Sequence, residues 1–167
     1  MGNSRQIHVT DTNIWIDLEK GSIVHLMFRL PISLVAPDVI VAELRKPDGN
    51  ALIDMGLQMM ELSGSQVAEV ARLRQEYKKP GTADLFALAL AKTRGFVLLT
   101  GDKYLRAAAR GEGTPVHGTL WVLDQLVTQQ AAPAHELAVA LNKMMKKGSR
   151  LPRFECEKRL SLWTTRR

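Results

Sequence analysis

Hydrophobic and polar positions change period repeatedly along the chain, and the changes mark out its elements. Ile7–Thr10 is a short β-prone run. From Asp11 to Glu19, Ile14, Trp15 and Leu18 recur at helical spacing, which predicts a helix starting at Asp11. Ser22–Leu30 reads as a second short helix stopped by Pro31, and Ile32–Ala36 as a second strand closed by Pro37. Asp38–Lys46 reads as a helix capped by Asp38, followed by a turn at Pro47-Asp48-Gly49-Asn50. Leu57–Leu62 is a third strand candidate, although methionine is a modest strand former. Ser63–Tyr77 has Val67, Val70, Ala71 and Leu73 at the three-to-four spacing of a helix. Lys78–Gly81 breaks that pattern, Thr82 caps a helix running to Arg94, and Gly95 ends it. Phe96–Thr100 is an apolar run suited to a central parallel strand. Asp102–Arg110 is helical, Thr114–Val116 is a short edge strand and Thr119–Gln130 is a helix. Further helices are expected over Pro133–Lys147 and within Phe154–Trp163.

Strands therefore alternate with helices, which predicts an α/β fold with a mostly parallel sheet. A length of 167 residues suits one domain, and 46% hydrophobic residues suffice for a buried core. The one discontinuity, Gly148–Pro152, separates a body of residues 1–147 from a C-terminal extension of residues 148–167. A single cysteine, Cys156, excludes a disulfide within the chain and suits a reducing compartment. No apolar stretch reaches the length of a signal core or a membrane span, so a soluble, cytoplasmic protein is expected. Gly2 invites myristoylation, but Gln6 stands where that motif needs Ser or Thr.

The net charge of +6 is unevenly placed. Nine of the 23 Lys and Arg residues lie from Lys143 onward, opposed there only by Glu155 and Glu157. A basic end of this kind attracts polyanions, and it equally makes a solvated helix.

Candidate chemistry lies in four acids. Asp11 follows the first strand, and Asp102 follows Phe96–Thr100 with only Gly101 between. Ligands of open α/β sheets bind beyond the carboxyl ends of the strands. Taken alone, each aspartate more often serves as a helix cap. Glu43 sits among Val39–Leu44, and Asp84 in the first turn of the Thr82 helix. Alone, Glu43 serves as well on the surface near Arg45 and Lys46, and Asp84 as well at a helix N-terminus. Together the four can converge on one crevice, where mutual repulsion requires a cation. All-oxygen ligation selects Mg²⁺ or Mn²⁺. Its open coordination positions suit phosphodiester hydrolysis by a metal-bound water.

Val9-Thr10-Asp11-Thr12-Asn13 resembles the opening motif of PIN-domain nucleases, and Val39-Ile40-Val41-Ala42-Glu43-Leu44 resembles their second. Thr82-Ala83-Asp84-Leu85-Phe86-Ala87 resembles the third, and Leu99-Thr100-Gly101-Asp102 the fourth, in the family's order. Val116-His117-Gly118-Thr119-Leu120 is similar to a segment that follows in one PIN subgroup. The resemblance implies a PIN-like, Rossmann-like three-layer α/β/α fold around a central five-stranded sheet. It implies a metal-dependent endoribonuclease with Asp11, Glu43, Asp84 and Asp102 as both catalytic residues and Mg²⁺ (or Mn²⁺) ligands, acting on an RNA substrate. It further implies a homodimer and, in the VapC-type toxins, a small antitoxin partner. The extension past Lys143 is longer than the minimal toxin, which leaves open an RNA-processing nuclease without an antitoxin. Thr12 and Thr100 orient a ligand or water on this reading, or else cap helices. Asp17 reads as a surface acid.

Other classes fit less well. A haloacid-dehalogenase-type phosphatase needs Asp-x-Asp where Asp11-Thr12-Asn13 stands, and no P-loop motif occurs. His8, His25, His117 and His135 show no zinc-ligand spacing, and Trp15, Trp121 and Trp163 fall on apolar stripes that read as packing rather than as base-stacking platforms. The remaining rival is a non-catalytic PIN-fold module that binds RNA or protein. Retention of all four acids argues against it.

Overall fold

The computed structural model describes residues 4–165, so the readings at Gly2, Arg166 and Arg167 lie outside the described residues. Strands β1 (Ile7–Thr10), β2 (Ser33–Pro37), β3 (Gln58–Met60), β4 (Val97–Leu99) and β5 (Val116–His117) form one sheet in the order β3-β2-β1-β4-β5. Every pairing is parallel. The helices are α1 (Thr12–Lys20), α2 (Val24–Met27), α3 (Asp38–Glu43), α4 (Gly49–Met55), α5 (Gly64–Glu76), α6 (Thr82–Arg94), α7 (Lys103–Gly111), α8 (Thr119–Thr128), α9 (Ala134–Lys146) and α10 (Arg153–Thr165).

The period of two along the strands divides the core into two halves. Leu34, Ala36 and Leu99 face a cluster completed by α1 to α4 and α8 to α10. Val9, Val35 and Leu98 face the opposite cluster, completed by α5, α6 and α7. The result is the three-layer α/β/α arrangement expected from the alternation of elements, with the sheet wholly parallel.

Several local readings are corrected. The helix expected over Asp38–Lys46 ends at Glu43, and Leu44 is already extended. The turn at Pro47–Asn50 hides the start of α4, whose first N–H groups are capped by the Asp48 carboxylate (2.7 Å from Asn50 N). Asp38 and Thr82 are first helical residues, and Pro37 and Gly81 hold the cap positions. Gly95 ends α6 in the left-handed conformation (φ +68°), a backbone state that costs glycine little. The segment Ser22–Leu30 keeps only the single turn of α2 as helix.

The order of the strands sets the position of any ligand. The chain runs outward from β1 through β2 to β3, then returns to place β4 on the other side of β1. The point of reversal lies between β1 and β4, and crevices in open α/β sheets form at the carboxyl ends of such strands. Asp11 and Asp102 follow those two strands.

Candidate active site

Asp11 is fully buried and caps α1, accepting the Ile14 N–H at 2.8 Å on Oδ1. Its Oδ2 accepts the Thr100 hydroxyl. Thr100 Oγ1 in turn accepts the Asp102 N–H at 2.9 Å. Asp102 caps α7, accepting the Leu105 N–H at 2.8 Å on Oδ1. The two strand-end acids are therefore helix caps, and one threonine ties them together.

The helix acids reach the same crevice because α6 packs across β1, β2 and β4 and against α3. Asp84 Oδ2 accepts the Gly81 N–H at 3.1 Å. Glu43, exposed at the end of α3, accepts the Thr12 hydroxyl on Oε1. The second oxygens of Glu43, Asp84 and Asp102 accept nothing from the described residues.

Electrostatics shows that the acids are neighbours. Burial drives the Asp11 pKa up to about 8, and the charges of Asp84 and Asp102 add to the rise. Burial lifts Asp84 to about 6, with Asp102 and Glu43 contributing, although the Gly81 N–H and the Arg74 charge oppose it. Among the described residues none of the four acids forms a salt bridge. The crevice thus gathers four carboxyl groups, two of them held partly protonated by burial, and among the described residues no basic side chain pairs with them.

Among the described residues no group of three or more His, Cys, Asp or Glu side chains is arranged to hold a metal ion by its own atoms alone. The donor set nonetheless fits a hard cation that keeps part of its water shell. Mg²⁺ is characteristically held by one or two carboxylates, with waters and substrate phosphates completing its octahedron.

Thr12 and Thr100 hold carboxylates rather than capping helices. Asp17, read as a surface acid, is corrected: it is buried, with 7% of its surface exposed. It accepts the Thr119 and Ser149 hydroxyls at 2.7 Å each, which links α1 to α8 and to the start of the extension. Its Oδ2 lies 2.7 Å from where a Cβ on Gly101 would stand, so only glycine fits between Thr100 and Asp102 without displacing it. The single signal for Asp17 in the sequence is its helical spacing, three residues beyond the buried Ile14.

Comparison with solved structures places the fold. A PilT N-terminus domain protein from the hyperthermophilic archaeon Sulfolobus solfataricus P2 matches with a TM-score of 0.54 at 14% identity. That match covers 73% of this chain and 94% of the archaeal one. VapBC2 from Rickettsia felis, bound to a DNA fragment from its promoter, matches with a TM-score of 0.51 at 16% identity. That match covers 68% of this chain and 98% of the rickettsial one. A comparison with curated proteins finds no match. A family model described as a PIN domain matches residues 7–165, nearly the whole chain. With its five parallel strands and its acids at the β1–β4 reversal, this chain belongs to the PIN-domain family.

Proposed function

We propose that this protein is a metal-dependent endoribonuclease that hydrolyses RNA phosphodiester bonds at Asp11, Glu43, Asp84 and Asp102. The observation that carries the reading is the meeting of four carboxyl groups at the topological reversal of the sheet, none of them ion-paired among the described residues. PIN domains are generally nucleases, and membership of the family supports the same conclusion.

Mg²⁺ or Mn²⁺, held at Asp11, Glu43, Asp84 and Asp102 partly through its own waters, would supply Lewis-acid stabilisation of the phosphoryl oxygens and a water of lowered pKa. The chain's own groups prepare the site. The Ile14 and Leu105 N–H groups fix Asp11 and Asp102 at the ends of two rigid helices. Thr100 fixes the second oxygen of Asp11, and Thr12 fixes Glu43. The unengaged oxygens of Glu43, Asp84 and Asp102 are the atoms left to meet a cation or its waters. No histidine or lysine base takes part.

The likeness to a VapBC complex supports a further reading of this chain as the toxin of a toxin–antitoxin pair, silenced by a small antitoxin. The nuclease reading is tested with a labelled structured RNA. The parent protein and Asp102→Asn, purified identically, are incubated with Mg²⁺, Mn²⁺ or EDTA. Asparagine preserves the α7 cap, so the fold is kept. Cleavage is expected from the parent alone, and only with metal. Equal cleavage by both proteins, or none by either while RNA still binds, overturns the reading.

A further inference from the structure

A second polar cleft adjoins the acids. It has a volume of about 330 Å³ and lies along the edge strand β5, between α7 and the start of the extension. Arg106, Arg110 and Arg150 line it together with His117, Trp121 and Pro152. Among the described residues no aspartate or glutamate lines it. Among the described residues none of the three arginines forms a salt bridge. Three guanidinium groups around one cavity repel one another, as the four acids do, and an anion offsets that repulsion. Guanidinium forks match phosphate oxygens bidentately.

The rest of the wall is not what a bare phosphate needs. His117 stacks on Trp121 with ring centroids 4.2 Å apart and planes within 4°. Burial holds the His117 pKa below its ordinary value, so the imidazole is a neutral aromatic surface at neutral pH. Flat aromatic surface beside cationic groups is the combination that binds an unpaired nucleotide, base on the ring and phosphate on the charge. The volume suits one nucleotide, and its base can reach the rings only when it is not paired in a duplex.

The cleft is joined to the catalytic loop. Arg106 lies one helical turn beyond Asp102 and donates to the Thr100 carbonyl at 3.3 Å. The Thr100 N–H donates to the His117 carbonyl at 3.0 Å. The cleft therefore lies beside the loop that carries Asp102. Resting on the nuclease reading above, we propose that this cleft is a substrate subsite: it holds one unpaired nucleotide of the RNA strand, flanking the bond to be cut, and so selects single-stranded over duplex RNA. An acidic protein segment satisfies the arginines but makes no use of the stacked rings.

The test is direct binding, separate from cleavage. The full-length protein is titrated in EDTA against labelled single-stranded RNA and against a duplex of the same sequence, over a series of salt concentrations. The Arg110→Gln/Arg150→Gln pair is compared with Lys146→Gln/Lys158→Gln, which removes the same charge elsewhere. All four side chains are exposed, and thermal melting confirms that each variant folds. The parent is expected to prefer single strands. The cleft pair should lose about tenfold in affinity per contact, and the slope of log affinity against log salt should fall by about 2. The lysine pair should change both much less. Equal losses in the two pairs, equal binding of duplex, or no RNA binding by the parent overturns the subsite. Parallel cleavage assays separate the two readings. Binding as expected without metal-dependent cleavage removes the nuclease reading alone. Metal-dependent cleavage with parent-like affinity in the cleft pair removes the subsite alone.

Discussion

Thr100 uses one hydroxyl twice, donating to Asp11 Oδ2 and accepting from the Asp102 N–H. It fixes the direction in which Asp11 presents its charge and the geometry of the loop that carries Asp102. Residues that orient a metal ligand in this way typically affect metal affinity or activity by about 10–100-fold. Thr100→Val keeps the shape and removes both bonds. It should lower kcat/KM on RNA within that range and raise the Mg²⁺ concentration for half-maximal rate, while Thr100→Ser restores both. A valine variant with unchanged metal dependence shows that Thr100 only packs. Asp17 makes the complementary point. The helical spacing places it on α1, but a residue's depth depends on what covers the helix, and here α8 and Ser149 arrive from over a hundred residues away. Charge alone made it look like a surface group, and tertiary partners made it an internal one.

At the scale of elements, α10 is where the sequence is least explicit. Its apolar residues do not form a clean stripe, yet it packs along α9 and buries Cys156 and Trp163 in the cluster that fills one face of the sheet. Part of the basic run is also neutralised in place. Arg159 pairs with Asp124 at 2.7 Å and with Glu155 at 2.9 Å, and Arg153 pairs with Glu157 at 2.9 Å. The extension is therefore part of the packed body as well as a source of charge. Trp163 is 2% exposed, and Trp163→Ala should cost about 3–5 kcal/mol, read by urea unfolding followed by far-UV circular dichroism. A loss below about 1 kcal/mol shows that α10 docks only loosely. Strands β1 and β4 were legible because each is a short apolar run that gives way to helical spacing at an acid, whereas the edge strand read over Thr114–Val116 lies at Val116–His117. Helix α4 was not legible, because Asp48, its cap, stands inside a turn-forming sequence. The arginine cleft was not legible either. Its lining comes from α7, from β5 with the start of α8, and from the Arg150–Pro152 segment, which no local pattern connects.

At the scale of the whole molecule, the acidic crevice sets how stability depends on pH. In the unfolded chain Asp11 and Asp84 ionise near the ordinary aspartate value of 3.8. In the folded chain without a cation they hold their protons to about 8 and about 6. Between those values the native state binds more protons than the unfolded state, so stability is fully present below about 3.8 and falls as pH rises through 6 and 8. Glu69 works in the opposite direction. Arg72 and Lys92 hold its pKa at about 2, so its contribution is lost only as pH falls below the ordinary glutamate range. A divalent cation binds the ionised carboxylates and releases their protons. Melting temperatures measured in EDTA should therefore decline from pH 5 to pH 8, and saturating Mg²⁺ should raise them more at pH 8 than at pH 5. Asp11→Asn keeps a cap for α1 and removes the charge. In EDTA at pH 8 it should melt higher than the parent while losing activity, because the parent's site carries repulsion that only its cation offsets. An Asp11→Asn protein that melts lower than the parent at pH 8, together with a flat parental profile, shows that the carboxylates are already compensated within the chain and removes the physical reason for a metal at the β1–β4 reversal.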